Sequence, residues 1–172
     1  DGSHVIQVFD DQTLEVVDEI PVPTLRAQAL PYRNLFRLNS DGSLIFVQNA
    51  TPATSVTVVD IASKRNFETQ GPGCYGLYPA LANPMRFATL CGDGTATTYT
   101  IGADRASAQL KSNAKFFDPQ NDPLYTHAER DRDGYVFITY SGKFMRLAVD
   151  GDTVVAQPAG DVAEGQKGWA PG

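Results

Sequence analysis

The two cysteines are the residues whose spacing gives the clearest chemical prediction. The segments Cys74–Tyr78 and Arg86–Cys91 are β-rich and separated by a short turn, which predicts an antiparallel hairpin. In this hairpin Tyr78 faces Phe87, and Cys74 lies directly opposite Cys91. Directly opposed residues have Cα atoms roughly 4.5 to 5.5 Å apart, a separation that a disulfide accepts. We therefore predict a Cys74–Cys91 bond in a compartment that permits it, the alternative being two free buried thiols.

Metal binding and nucleophilic catalysis have little support in the sequence. The two histidines, His4 and His127, are far apart, and no Cys-x-x-Cys spacing is present. The sequence has no Gly-x-Ser-x-Gly segment, and His127 has no marked partner, so we expect it to be packed or solvated. A Gly-rich phosphate loop that follows a strand and opens a helix is also absent. By itself the chain is predicted to hold no catalytic, cofactor-binding or metal-binding residue.

Asp and Gly recur together in turns at Asp41-Gly42, Asp93-Gly94, Asp133-Gly134 and Asp150-Gly151. Paired carboxylates or a calcium site would use such residues, but these turns lack the dense oxygen-ligand pattern of a calcium loop. They are evenly spaced along the chain, and Asp and Gly suit tight hairpins, so we interpret them as turns. Asn49-Ala50-Thr51 fits a glycosylation acceptor by spacing, which is a weak match.

Short strand-like segments separated by turns must position these residues. The stretch Asn34–Ser63 gives strand, turn, strand, loop, strand at period two, and three such strands cannot cover both of their own faces. Successive sets of strands follow, and the third strands of these sets end at Asp10, Asp60, Gly102 and Asp150. A period of about 40 to 50 residues with four short strands is typical of β-propeller blades. No stretch keeps the apolar periodicity of a helix over three turns.

The sequence therefore predicts an all-β fold, a partial β-propeller of about three and a half four-stranded blades. Blades are predicted at residues 32–70, 74–113 and 123–158, with 1–23 ending an earlier blade and 168–172 starting the next. The fourth strand of the third blade is predicted at Thr153–Ala156. Two open faces would expose apolar surface, so we expect a piece of a larger ring. A β-sandwich of about a dozen short strands is the alternative.

Composition narrows the classes of partner. The 172 residues are 42% hydrophobic and 20% charged, as in a soluble globular protein. The net charge of −6 argues against a nucleic-acid partner, which would call for a basic face. No run reaches the ~20 consecutive apolar residues needed to cross a bilayer. We expect neither nucleic acid nor membrane as a partner.

The stretch LFRLNSDGSLIFVQNATPATSVTVVDIA resembles the heavy chain of the quinoprotein amine dehydrogenases. It is more similar to the aromatic (aralkyl) amine dehydrogenase branch than to the methylamine branch. The resemblance continues through GCYGLYPALANPMRFATLCGDGTATTYTIG, where Cys74 and Cys91 fall where that family has a cysteine pair. It returns at GWAPG, and it covers nearly the whole sequence from Val5, in the last third mainly as a pattern.

The resemblance implies a seven-bladed propeller exported to the bacterial periplasm, in an assembly of two heavy and two light chains. In that family the light chain carries the tryptophan tryptophylquinone and the catalytic base. The heavy chain supplies the scaffold and part of the channel to the quinone, and a blue copper protein of the amicyanin or azurin type accepts the electrons. The single tryptophan here, Trp169, cannot form a quinone built from two tryptophans. The expected partners are therefore a light chain, a second heavy chain and a blue copper protein.

Three functions compete at this point. The first is a non-catalytic heavy-chain scaffold of an amine dehydrogenase, which oxidatively deaminates primary amines. The second is a binding propeller of the WD40-like or surface type that needs no light chain. The third is a hydrolytic or lactonase-type propeller, which would need metal-ligating side chains converging on the central axis.

The predicted contact surface consists of loops that join strand two to strand three and blade to blade, because these lie together at one end of a propeller. Asn49–Thr54 and Gln70–Gly73 are the leading loops, since fixed irregular loops on a rigid scaffold are where recognition is usually placed. The candidate contact residues are Asn49, Thr51, Pro52, Thr54, Gly71 and Pro72. The alternative is that Pro52 and Pro72 only shape tight connections.

Overall fold

The structure, a computed structural model, describes residues 4–23 and 32–162. Within these residues the chain forms fourteen β-strands and a single three-residue 3₁₀ turn, Arg33–Leu35. In chain order the strands are β1 Val5–Phe9, β2 Val16–Pro21, β3 Phe36–Leu38, β4 Leu44–Asn49, β5 Ser55–Asp60, β6 Asn66–Gln70, β7 Cys74–Pro79, β8 Arg86–Cys91, β9 Ala96–Ile101, β10 Ala108–Ser112, β11 Leu124–Arg130, β12 Tyr135–Thr139, β13 Lys143–Ala148 and β14 Val155–Asp161. In the part of the chain that the structure describes, no helix is long and apolar enough to span a membrane.

The strands form sheets in strict sequence order. Blade 1 is β3-β4-β5-β6, blade 2 is β7-β8-β9-β10 and blade 3 is β11-β12-β13-β14, each antiparallel and four-stranded, while β1 pairs with β2 alone. Short turns join consecutive strands within each sheet and produce this meander. The equally short segment 71–73 connects blade 1 to blade 2, whereas the longer segment 113–123 leads into blade 3. The predicted all-β propeller fragment is confirmed. The predicted segment 168–172 and Trp169 lie outside the described residues.

The sheets pack face to face, which explains why their middle strands are apolar on both sides. Phe46 faces blade 2, in a cluster with Leu77, Phe87 and Tyr99. Its neighbour Ile45 faces the β1–β2 pair, in a cluster with Ile20. A third cluster joins blades 2 and 3 and contains Tyr78, Ala88, Leu90, Leu124, Tyr135, Phe137 and Leu147. The middle strands of blades 1 and 2 are therefore covered on both faces, and every residue of β4 and β5 is buried. Among the described residues blade 3 packs on blade 2 by one face, and Ile138 of β12 is 36% exposed.

Polar side chains connect the blades at the end formed by the β3–β4, β7–β8 and β13–β14 turns. Asp150 Oδ1 accepts hydrogen bonds from the backbone N–H groups of Ala82 (2.7 Å) and Asn83 (3.3 Å). Arg86, whose side chain is 12% exposed, pairs with Asp152 at 2.8 Å and donates to the Asp150 carbonyl at 2.8 Å. These contacts fix the relative positions of blades 2 and 3.

Two predicted details are wrong, and both errors have a local cause. Tyr78 pairs with Ala88 rather than Phe87, because β7 shifts register between Tyr75 and Tyr78. Gly76 lies in this irregular segment with φ +81°, a conformation that other residues rarely adopt.

The fourth strand of blade 3 is the second error, since it covers Val155–Asp161 instead of Thr153–Ala156. It continues through Pro158 and Gly160 because it is an edge strand, where a missing N–H is tolerated. The β13–β14 register shift lies between Phe144 and Met145, opposite the two breaker residues.

Candidate partner interface

Three connections meet at one end of blades 1 and 2 and form a surface that we call the loop face. It consists of the β4–β5 loop at residues 50–54, the β6–β7 loop at 71–73 and the β8–β9 turn at 92–94. Backbone hydrogen bonds join the first two loops, from Gly71 N to Thr54 O (3.2 Å) and from Gly73 N to Ala53 O (3.2 Å). Gly92 N donates to Gly73 O at 3.0 Å and attaches the third connection. The loop face is thus one continuous, hydrogen-bonded surface.

Thr54 fixes the two loops of blade 1 in place. It has φ +62°, uncommon for a residue other than glycine, and its backbone N–H donates to Thr51 O at 3.0 Å. Its hydroxyl also donates to the carbonyl of Gly71. The left-handed backbone is held by hydrogen bonds on both sides, so the loop has a defined shape before any partner binds.

The predicted contact residues divide by exposure. Pro52 and Pro72 are exposed, and Thr51 and Thr54 are partly buried. Asn49 is buried at 1% exposure, and its Nδ2 donates to Ser55 Oγ (3.0 Å) and Thr57 Oγ1 (2.9 Å). The Asn49 amide is therefore occupied inside blade 1, which makes it a support for the loop and unsuitable as a glycosylation acceptor.

Gly71, the sixth predicted contact residue, is also buried and has a structural reason to be glycine. A Cβ at this position would lie 2.5 Å from Tyr99 Oη. Tyr99 is fully buried and stacks on Phe87 with ring centroids 4.4 Å apart and an interplanar angle of 3°. The tyrosine ring has no room to withdraw, so only a residue without a side chain lets the β6–β7 loop approach blade 2.

The disulfide Cys74–Cys91 is present beside the loop face. The cysteines are paired across β7 and β8, with an S–S distance of 2.00 Å and a Cα–Cα distance of 3.8 Å, shorter than expected for opposed residues. The bridge joins the first two strands of blade 2 where the β6–β7 loop enters the sheet. It ties the inner strand to its neighbour at the edge of the loop face.

A half-open cleft of about 420 Å³ lies between the disulfide, the 71–73 loop and the 92–94 turn. Leu110 gives it an apolar side and Asp93 a negative charge. Asp93 Oδ1 accepts hydrogen bonds from the Thr95 hydroxyl (2.7 Å) and backbone N–H (3.0 Å), and these contacts lower the pKa of Asp93. An ionised carboxylate already used by its own turn is a poor general base, so the cleft suits binding better than proton transfer.

The other candidate residues do not converge. Asp41, Asp133 and Asp150 lie in turns at the end opposite the loop face, far from Asp93 along their sheets. His127 packs edge-on against Tyr32 with ring centroids 4.6 Å apart. Among residues 4–23 and 32–162, no group of three or more His, Cys, Asp or Glu side chains could hold a metal ion.

The 92–94 turn belongs to the loop face but was missed as a contact element in the sequence. Its Gly92-Asp93-Gly94 string predicted the turn itself. The 92–94 turn lies beside residues 71–73 because β7 and β8 are paired. The predicted pairing of Cys74 with Cys91 indicated that these strands are neighbours.

Sequential four-stranded antiparallel sheets with hydrogen-bonded loops gathered at one end define a β-propeller chain. The family model described as methylamine dehydrogenase heavy chain (MADH) matches residues 2–172. The chain therefore belongs to the methylamine dehydrogenase heavy chain family, and the resemblance found in its sequence is confirmed at that level. No curated protein matches the sequence.

Proposed function

We propose that this chain is a non-catalytic scaffold of a periplasmic amine dehydrogenase that oxidatively deaminates primary amines. The family match over residues 2–172 carries the proposal, because it makes the chain part of an amine dehydrogenase heavy chain with a light-chain partner. The light chain would carry the tryptophan tryptophylquinone and the catalytic base. A blue copper protein of the amicyanin or azurin type would accept the electrons. This chain would form part of a seven-bladed propeller, and a second heavy chain would complete the assembly.

The quinone does not fit this chain. It is built from two tryptophans, whereas residues 1–172 contain one, Trp169, which lies outside the described residues. The cleft next to the disulfide holds no thiol available for chemistry, because both cysteines are bonded. These observations support a division of labour in which the partner performs the redox step. The disulfide also supports an oxidising compartment such as the periplasm.

The loop face is the surface that we propose for the light chain. Its exposed prolines, Pro52 and Pro72, stand on loops whose backbones are fixed by hydrogen bonds. A fixed loop loses little conformational entropy when it binds, which favours affinity. The neighbouring cleft of about 420 Å³ would accept a side chain from the partner between Leu110 and the disulfide.

The scaffold role is tested by a dye-reduction assay with an aromatic amine and, separately, methylamine. The purified heavy chain that contains this sequence is assayed with and without its light chain. We expect turnover only when the light chain is present, and the faster amine identifies the branch of the family. Turnover by the heavy chain alone would show that the scaffold assignment is wrong.

The interface is tested by placing charges on the loop face. In a Pro52→Asp/Pro72→Asp variant, two carboxylates would be buried without partners on complex formation, and light-chain affinity should fall about tenfold or more. The matched control is Ala62→Asp/Ala103→Asp, which adds the same charges to exposed turns at the opposite end. Surface plasmon resonance measures both, and equal affinities of the two variants would remove the loop face from the interface.

A further inference from the structure

A second cleft lies on the inner side of the sheets and shares no lining residue with the loop-face cleft. It measures about 240 Å³ and is formed by the start of blade 1 and the first strand of blade 3. The side chains that matter for its chemistry are Tyr32, Arg33, Asn34, Arg37, His127 and Glu129. A volume of this size exceeds the roughly 15 Å³ that one ordered water requires. We call it the inner cleft.

The inner cleft is built by an irregular part of β11. Pairing with β12 shifts register between Leu124 and Ala128, so the intervening backbone leaves the ladder. The carbonyl of Thr126 then accepts hydrogen bonds from Tyr78 Oη at 2.7 Å and from Asn34 Nδ2 at 3.2 Å. All three blades thus contribute to one hydrogen-bonded junction, and the position of Asn34 is set by it.

This junction leaves specific polar atoms without partners. Asn34 is 3% exposed, and because its Nδ2 faces a carbonyl, its Oδ1 is the atom left unsatisfied. Arg37 is partly buried, and its Nε is buried with no acceptor. No carboxylate of the described residues forms an ion pair with Arg33 or Arg37. Buried polar groups normally have hydrogen-bond partners, and an unpaired buried donor destabilises the protein.

The unmet groups specify a ligand with two features. The guanidinium of Arg37, whose Nε is buried without an acceptor, calls for an anion, and the exposed guanidinium of Arg33 adds a second positive charge to the same cleft. A planar guanidinium matches a carboxylate with two parallel hydrogen bonds. Asn34 Oδ1 accepts, so the ligand must also offer a donor close to its anionic group. Glu129 limits the negative charge that the cleft tolerates and would attract a positive donor. Inorganic phosphate, which carries more charge at neutral pH, matches these requirements less well.

We propose that the inner cleft binds a small carboxylate that carries a hydrogen-bond donor on its second carbon, either a hydroxyl or an ammonium group. The carboxylate lies between Arg33 and Arg37, and the donor reaches Asn34 Oδ1. The edge-on Tyr32–His127 pair forms the aromatic side of the cleft. This site is separate from the proposed light-chain surface and does not depend on it.

Isothermal titration calorimetry on the full-length heavy chain tests the proposal with L-lactate, L-alanine, propionate and inorganic phosphate. Propionate matches lactate except for the 2-hydroxyl group. We expect saturable binding of lactate or alanine and weaker binding of propionate and phosphate. Arg37→Gln and Arg33→Gln should each weaken the binding about tenfold or more, since each loses a charge-assisted hydrogen bond. The control Arg132→Gln removes a 92%-exposed arginine and should leave the affinity unchanged.

Arg33 is exposed, so its variant keeps the test valid even if Arg37→Gln fails to fold. Circular dichroism verifies the fold of each variant. The proposal is overturned if none of the probes binds, which would mean that water alone fills the cleft. It is equally overturned if propionate or phosphate binds as tightly as lactate and alanine, or if Arg33→Gln binds with wild-type affinity.

Discussion

The contact between Gly71 and Tyr99 allows a sharp test of how the loop face is held on blade 2. Substitution Gly71→Ala places a Cβ 2.5 Å from Tyr99 Oη, well inside van der Waals contact. Gly71 is not among the residues with positive φ, so alanine fits its backbone and the clash alone decides the result. Tyr99 is held by its stacking on Phe87, which prevents an inexpensive rotation.

Overpacking of this kind typically destabilises a core by about 1–3 kcal/mol, and we expect Gly71→Ala to lie near 2 kcal/mol. The tyrosine hydroxyl is the whole source of the clash, because the next nearest atom, Tyr99 Cζ, would be 3.7 Å away. Tyr99→Phe should therefore restore the fit. In that background Gly71→Ala gains roughly 0.4–1 kcal/mol from the reduced entropy of the unfolded chain.

Tyr99→Phe by itself should have a small effect. Burial raises the pKa of Tyr99, and the Thr89 side chain opposes that rise. The hydroxyl groups of Tyr99 and Thr89 are both buried without a hydrogen-bond partner of good geometry. Removing a buried, unsatisfied hydroxyl is close to neutral or stabilising. The coupling energy of the double-mutant cycle is therefore predicted at about 2–3 kcal/mol in favour of the double variant.

Urea denaturation of the full-length heavy chain, followed by tryptophan fluorescence and circular dichroism, measures all four proteins. Gly92→Ala is the matched control, because its Cβ would lie 3.8 Å from Gly73 O, an ordinary contact in the same loop face. If the double variant is as unstable as Gly71→Ala, the clash with Tyr99 Oη is not the cause. Equal destabilisation by Gly92→Ala would show that the loop face rejects any added methyl group.

Two further predictions concern the disulfide and the response to acid. Replacing Cys74 and Cys91 with serine removes a crosslink of sequence separation 17 and should lower the free energy of unfolding by about 3 kcal/mol on the loop-entropy model. Wild-type protein with and without reductant is the comparison. A change below about 1 kcal/mol would contradict the model. The Arg105 guanidinium, 2.8 Å from Asp60, lowers the pKa of that carboxyl from 3.8 to about 2, aided by the Ser63 backbone N–H. Because the folded pKa is depressed, this stabilisation is complete above about pH 4 and is lost as the pH falls toward 2. Urea midpoints across that range should therefore converge for wild type and Arg105→Gln, and a constant difference would refute the assignment.

The sequence by itself determined the fold class, because strand periodicity and turn residues are local properties. The Asp-Gly turns and the returning sets of strands predicted sheets in chain order, and the hairpin around the cysteines predicted their bond. The family likewise followed from residues, since long strings such as LFRLNSDGSLIFVQNATPATSVTVVDIA are specific.

The register of β7 against β8 was determined only by the structure, although one residue in the sequence indicated an irregular strand. Gly76 inside a strand pattern is typical of a bulge, and this bulge moves Tyr78 from Phe87 to Ala88 while leaving Cys74 opposite Cys91. The cysteines precede the irregularity and the tyrosine follows it. A single pairing rule for the hairpin could therefore be right at one end and wrong at the other.

Which loop residues face outward was decided by tertiary packing alone. Asn49 and Pro52 belong to one predicted loop, yet Asn49 is the last residue of β4, where its side chain is buried and donates to Ser55 and Thr57, and Pro52 is exposed in the loop. The inner cleft depends on still longer distances, because Asn34 meets the Thr126 carbonyl across 92 positions of sequence. Local patterns fix the strands, while contacts between separate sheets fix which polar atoms remain unpartnered.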